Sequence, residues 1–181
     1  MERLHRVSRR AVAEPRAVRH DCRVAVARKT NALRILEGLG IAHDTAEHPV
    51  GDEHVDAVEA ARQLGVSPDI LFKTLVARGG PGEVFVFCIP ASAELDRRKA
   101  AAAAGVRSVD LVPLKELTAL TGYVRGGCSP VGMKKKYPTW VDEIASTLDR
   151  VYVNAGARGL QVILSPADLL RAADAAYADL V

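Results

Sequence analysis

Two strand-like runs separated by glycine and proline limit the fold more than any other feature. Residues 72–77 and 83–89 are rich in Val, Phe and Leu, and Gly79-Gly80-Pro81-Gly82 lies between them. Such a connection makes an antiparallel hairpin, because glycine takes the turn dihedrals and proline cannot continue a central strand. Residues 150–154 and 160–164 repeat the pattern around Gly156-Ala157-Arg158-Gly159. Hairpins of this kind exclude an all-parallel sheet. Helical stripes stand between the strands: Ala32, Ile35, Leu36 and Leu39, then Ala57, Ala60, Ala61 and Leu64, each spaced to put apolar groups on one side of a helix. Further helices are expected over residues 94–104 and 113–120. A final helix is capped by Ser165, with Leu169, Ala172, Ala173 and Ala176 as its apolar stripe. Residues 42–48, 108–112 and 139–142 suit short strands, the first of them at a sheet edge. No strict strand–helix–strand rhythm emerges, so the expected class is α+β: a small mixed β-barrel or sheet with surrounding helices. Aromatics are only 4% of 181 residues, which leaves Ala, Val, Leu and Ile to build the core.

Charge divides the chain. Eight arginines and Lys29 face Glu2, Glu14 and Asp21 in residues 1–29, a local charge of +6, so with +3 overall the remainder carries −3. A basic extension over residues 1–28, disordered or upstream of the true start, and a folded domain over residues 29–181 are therefore expected, and the basic pI says nothing about the body. Three cysteines without a C-x-x-C pair fit a reducing cytoplasm. No apolar run approaches the roughly 18 residues of a membrane span. All five histidines fall within the first 54 residues, and their spacing matches no metal signature. Neither a metal nor a cofactor is expected. A histidine-based site at the glycine-rich segment described next needs His43, His48 or His54 brought across the fold.

That segment is residues 121–132, TGYVRGGCSPVG. Its paired glycines, Gly126 and Gly127, permit close backbone approach to a ligand and an anion-binding nest of N–H groups. A tight structural turn explains the same glycines equally well. The stretch from Gly127 nearly spells a P-loop, but Met133 occupies the lysine position, so nucleotide hydrolysis is excluded. Cys128 has no neighbour that lowers a thiol pKa in a recognised way and reads as a structural thiol. On a strand, Lys73 shares a face with Leu71 and Leu75. It serves either as a snorkelling strand lysine or as a cation at a cleft mouth. Asp142 fits a strand-end carboxylate in a cleft and, equally, the N-cap of residues 143–147. Lys134, Lys135 and Lys136 form a solvated face or a phosphate contact.

Three stretches together, 72–76 (FKTLV), 121–135 (TGYVRGGCSPVGMKK) and 154–160 (NAGARGL), resemble the YbaK/EbsC family of aminoacyl-tRNA deacylases, related to the editing domain of bacterial prolyl-tRNA synthetases. The resemblance spans roughly residues 29–180. It implies trans-editing: removal of cysteine, or another small amino acid, from mischarged tRNA, Cys-tRNA(Pro) above all. A pocket cannot reject a near-isostere by large factors, so a second site must edit. It implies that the substrate's own thiol cleaves the ester, as a hydrolase or a thiolactone-forming lyase. Catalytic roles then fall to Lys73, Gly126 and Gly127, with the two glycine N–H groups facing the oxyanion. Substrate binding falls to Thr74, Tyr123, Ser129, Asp142, Asn154 and Arg158. The implied partners are the acceptor end of charged tRNA and a prolyl-tRNA synthetase. This chain departs from the cysteine-specific pattern at Ala46, at Gln161 and near Asp56, where those relatives carry Tyr, Asp and an aromatic residue. The competing expectation is a non-catalytic module that binds charged tRNA or a synthetase.

Overall fold

The computed structural model describes residues 29–51 and 55–181. The expected basic extension over residues 1–28 lies outside the described residues.

Helix α1 (Asn31–Gly38) begins where the Thr30 side chain accepts the Leu33 amide, and its buried face is Ala32, Leu33 and Leu36. Strand β1 (Asp44–Glu47) follows as an edge strand. Helix α2 (Ala57–Leu64) is capped by Asp56 and stopped by Gly65 at φ +70°. The hairpin forms as the glycine–proline signal requires: β2 (Leu71–Gly80) pairs antiparallel with β3 (Glu83–Pro90). Helix α3 (Arg97–Ala104) is capped by Asp96 rather than starting at residue 94. Then come β4 (Asp110–Leu111), α4 (Leu114–Thr121), β5 (Thr139–Asp142) and a 3-10 turn (Glu143–Thr147). The second hairpin, β6 (Val151–Ala157) with β7 (Leu160–Leu164), precedes α5 (Pro166–Ala173) and β8 (Ala175–Ala178).

The strands form one mixed sheet in the order β1-β7-β6-β2-β3-β5-β8, with β4 added on β2. The two hairpins meet through a parallel β2–β6 pairing, Leu71 opposite Tyr152 and Phe72 opposite Val153. The sheet is open, with β1 and β8 at its ends. Its inner face buries Phe72, Val76, Val86, Val153 and Val162 with α1 residues and Leu169 of α5. On the other face, Phe87 stacks on Trp140 at 5.5 Å beside Ala100 and Ala101 of α3. On that face too, Ala60 and Ala61 of α2 pack on Leu71 and Ala91. Pairing thus obeys side-chain alternation: the even residues of β2 enter the main core and the odd residues face α2 and α3.

One expectation fails. The last helix does not reach Ala176: it ends at Ala173, with Asp174 in the left-handed conformation (φ +52°), and residues 175–178 become a strand parallel to β5. The alanine-rich sequence carries helical propensity, yet β5 offers an unpaired edge, and that ladder outweighs a propensity difference of under about 1 kcal/mol per residue.

Candidate functional site

A cleft of about 660 Å³ opens between α2, the ends of β2 and β6, and the glycine-rich loop, and it brings together Lys73, Thr74, Gly126, Asn154 and Arg158. Sheet register explains the grouping. Asn154 pairs with Gln161, and Gln161 pairs with Ala46, so these three side chains share one face across β6, β7 and β1. Continuing the parallel β2–β6 register one step past Phe72 and Val153 sets Lys73 next to Asn154 in the same row.

Lys73 is half-buried, and its Nζ donates to the Ala91 carbonyl at 3.2 Å. Burial pulls its ammonium below the usual lysine range, while the carboxylates of Glu94 and Asp56 act in the opposite direction. Both carboxylates line the cleft, as does Arg125. Arg158 lines it as well, and its Nη2 donates to the Gly51 carbonyl at 3.3 Å. Thr74 reaches the cleft with its hydroxyl 3.9 Å from Cys88 Sγ.

Asn154 ties the glycine loop to the β6–β7 bend. Its Nδ2 donates to Gly126 O (2.9 Å) and Ala157 O (3.1 Å), and its Oδ1 accepts the Gly156 amide. Its polar capacity is thereby largely used in holding the loop. Gly126 adopts φ +77° and lines the cleft. Gly127 behaves differently from the expected paired donor. Its N–H closes a turn onto Val124 O at 3.0 Å, and its backbone packs so tightly that a Cβ would stand 3.1 Å from Arg158 N. That amide is already engaged, whereas the Gly126 N–H has no hydrogen-bond partner among the described residues.

Three other expected residues are not brought to the cleft. Tyr123 is buried; its hydroxyl donates to Val131 O at 2.7 Å, and burial pushes the phenol up to about 12. Ser129 is fully buried, and its Oγ accepts the Val131 amide. Asp142 caps the 3-10 turn through Ile144 N and accepts Leu180 N with its second oxygen, beside a separate hollow. The N-cap reading of Asp142 is therefore the geometry found. These side chains shape the loop and the C-terminus from within. Cys128 does line the cleft, but burial pushes its thiol up to about 12, and Cys88 likewise. Among the described residues no group of three or more His, Cys, Asp or Glu side chains could hold a metal ion, and no helix is long and apolar enough to cross a membrane.

Sequence reasoning gave Arg125 no role and left His48 undistinguished from His43 and His54, although His48 and Arg125 both line the cleft. The signal was present for His48: it continues the alternation of the edge strand two residues after Ala46.

A family model described as the aminoacyl-tRNA editing domain matches residues 52–172. The chain belongs to this family. EbsC of Enterococcus faecalis, a proposed Cys-tRNA(Pro)/Cys-tRNA(Cys) deacylase, is 40% identical over 152 residues, 84% of this chain and 93% of that protein. A solved structure of a proposed trans-editing enzyme for prolyl tRNA synthetase superposes with a TM-score of 0.73 at 28% identity, covering 85% of this chain and 98% of that one. The hypothetical protein APE2540 gives a TM-score of 0.74, also at 28% identity, over 83% of this chain and 99% of its own. The matched editing domain contains β2, the glycine loop and the second hairpin, the elements that line the cleft. The α+β expectation, a mixed sheet with helices outside, is the architecture of these relatives.

Proposed function

We propose that this editing domain is a trans-acting deacylase that removes cysteine, or another small amino acid, from mischarged tRNA, with Cys-tRNA(Pro) as its main substrate. The single observation that carries this is the meeting of Lys73, Gly126 and Arg158 in one cleft; the likeness to EbsC supports the substrate. The substrate thiol attacks its own ester carbonyl, so orientation and charge stabilisation matter more than a protein base. The Gly126 amide faces the oxyanion that develops, a donor worth about 3 kcal/mol. Lys73 anchors the terminal ribose and phosphate and adds positive charge. Arg125 and Arg158 hold the single-stranded acceptor end, and Asn154 keeps the loop in register. The protein then acts in the cytoplasm beside prolyl-tRNA synthetase.

A deacylation panel over mischarged tRNAs tests the assignment. Lys73→Ala and Gly126→Val each lower kcat/KM for Cys-tRNA(Pro) by about 100-fold or more, about 2.7 kcal/mol of transition-state stabilisation. Unchanged activity in both variants removes these residues from the site. Salt-sensitive tRNA binding without turnover in the wild type identifies a binding module instead.

A further inference from the structure

We propose that the cleft seats a hydrolytic water between His48 and Gln161, giving this site a second nucleophile for amino acids that carry no thiol. The inference rests on the deacylase reading and adds a route to it.

The His48 amide donates to Gly159 O at 2.9 Å, which extends the β1–β7 ladder one step past Glu47. His48 therefore shares a face with Ala46, and Ala46 stands directly opposite Gln161. Both His48 and Gln161 are more than nine-tenths buried, and both line the cleft. Ala46, opposite Gln161, contributes only a methyl group to that face.

The tautomer of His48 follows from its neighbours. Its Nδ1 lies 3.2 Å from Gln63 Oε1 and 3.2 Å from Pro49 O. Gln63 is oriented from behind, because its Nε2 donates to Glu59 Oε1 at 2.9 Å, and Arg62 grips both oxygens of Glu59 at 2.6 Å. Two acceptors thus face Nδ1, which must carry the proton. The lone pair then sits on Nε2, which has no hydrogen-bond partner among the described residues. Gln161 Oε1 is a buried acceptor that also lacks a partner. A core histidine kept only for packing has both ring nitrogens satisfied, and a buried amide oxygen normally finds a donor. Both acceptors line one cleft, from diagonal positions on neighbouring strands, and neither takes a hydrogen bond from a described residue. A water molecule carries two O–H donors, fills both needs and keeps a lone pair for attack.

The water oxygen bonds to the ester carbonyl carbon as one of its protons passes to His48 Nε2. The tetrahedral intermediate collapses by breaking the bond to the terminal ribose oxygen, which takes that proton from the imidazolium. Free amino acid and uncharged tRNA leave, with no change in oxidation state.

The test uses the full chain with alanyl-tRNA(Pro) and cysteinyl-tRNA(Pro) side by side. The wild type cleaves the alanyl ester and places one 18O from labelled water in the released alanine. His48→Gln lowers kcat for the alanyl ester by about 100-fold or more, the usual worth of a positioned proton acceptor, with KM within twofold, and lowers cleavage of the cysteinyl ester by less than about tenfold. Gln161→Met, and Gln63→Leu at the exposed end of the chain of bonds, each lower alanyl turnover by about tenfold. Nitrogen-15 correlation spectra of the wild-type imidazole show the proton on Nδ1, and in Gln63→Leu that preference weakens, which a packing role does not predict. Gln63→Leu also serves if His48→Gln fails to fold. Cleavage of the cysteinyl ester but not the alanyl ester by the wild type overturns the inference and leaves the deacylase reading standing. Full alanyl turnover in His48→Gln and Gln63→Leu does the same. Cleavage of neither ester overturns both.

Discussion

Gly156→Ala tests whether Tyr123 is the pillar of the glycine loop rather than a substrate contact. Gly156 lies in β6 at φ +91°, and a Cβ there would stand 2.9 Å from Tyr123 Cε1 and 3.3 Å from Cζ and Oη. The ring cannot retreat easily, because it is buried and its hydroxyl is bonded to Val131 O at 2.7 Å. A left-handed backbone costs alanine about 1–2 kcal/mol, and forcing a methyl group against an anchored ring adds about 1–3 kcal/mol. The total, roughly 2–5 kcal/mol, is a large share of the 5–15 kcal/mol typical of a domain. In a urea titration with a slope of about 2 kcal/mol/M, the midpoint falls by roughly 1–2.5 M. Tyr123→Phe, which removes only the hydroxyl, costs about 1 kcal/mol and leaves KM for charged tRNA within twofold. A Gly156→Ala loss within the 0.5 kcal/mol of an ordinary surface change refutes the pillar, and a raised KM in Tyr123→Phe without loss of stability returns Tyr123 to the substrate.

Asp142→Asn turns one of two acceptors into a donor facing a backbone N–H of Ile144 or Leu180; denaturant melts register a loss of about 1–3 kcal/mol, while kcat stays within twofold because the residue borders another hollow. Cys128→Ala retains deacylation within about threefold, since burial holds the thiol protonated with its pKa pushed up to about 12; for the same reason iodoacetamide at pH 8 does not label the native protein at Cys128, and rapid labelling contradicts that burial.

Much of the architecture was written locally. The turn Pro81-Gly82 made the β2–β3 hairpin, Gly65 stopped α2, and Asp142 capped the turn after β5, each by a backbone preference that acts over a few residues. The terminal strand was not legible, because its alanine-rich residues look helical until the edge of β5 is there to pair with them. The site divides in the same way. Lys73 and the glycine loop announced themselves through residue type, and the cleft holds both. Gly127, Tyr123 and Ser129 looked equally chemical in the motif, yet their polar groups are spent inside the loop that presents Gly126.

The chain by itself settled the hairpins, the presence of the helices though not all their ends, the odd-face placement of Lys73 and the family likeness, because capping, turn and alternation rules depend only on neighbours in sequence. Tertiary structure alone decided which of the conspicuous residues meet. Register across β1, β7, β6 and β2 sets Gln161, Asn154 and Lys73 in one row and carries His48 to the same cleft from more than a hundred residues away in sequence from Asn154. A shift of one residue in any of these pairings turns every side chain to the opposite face. That long-range choice is made by the whole core, and no local pattern records it.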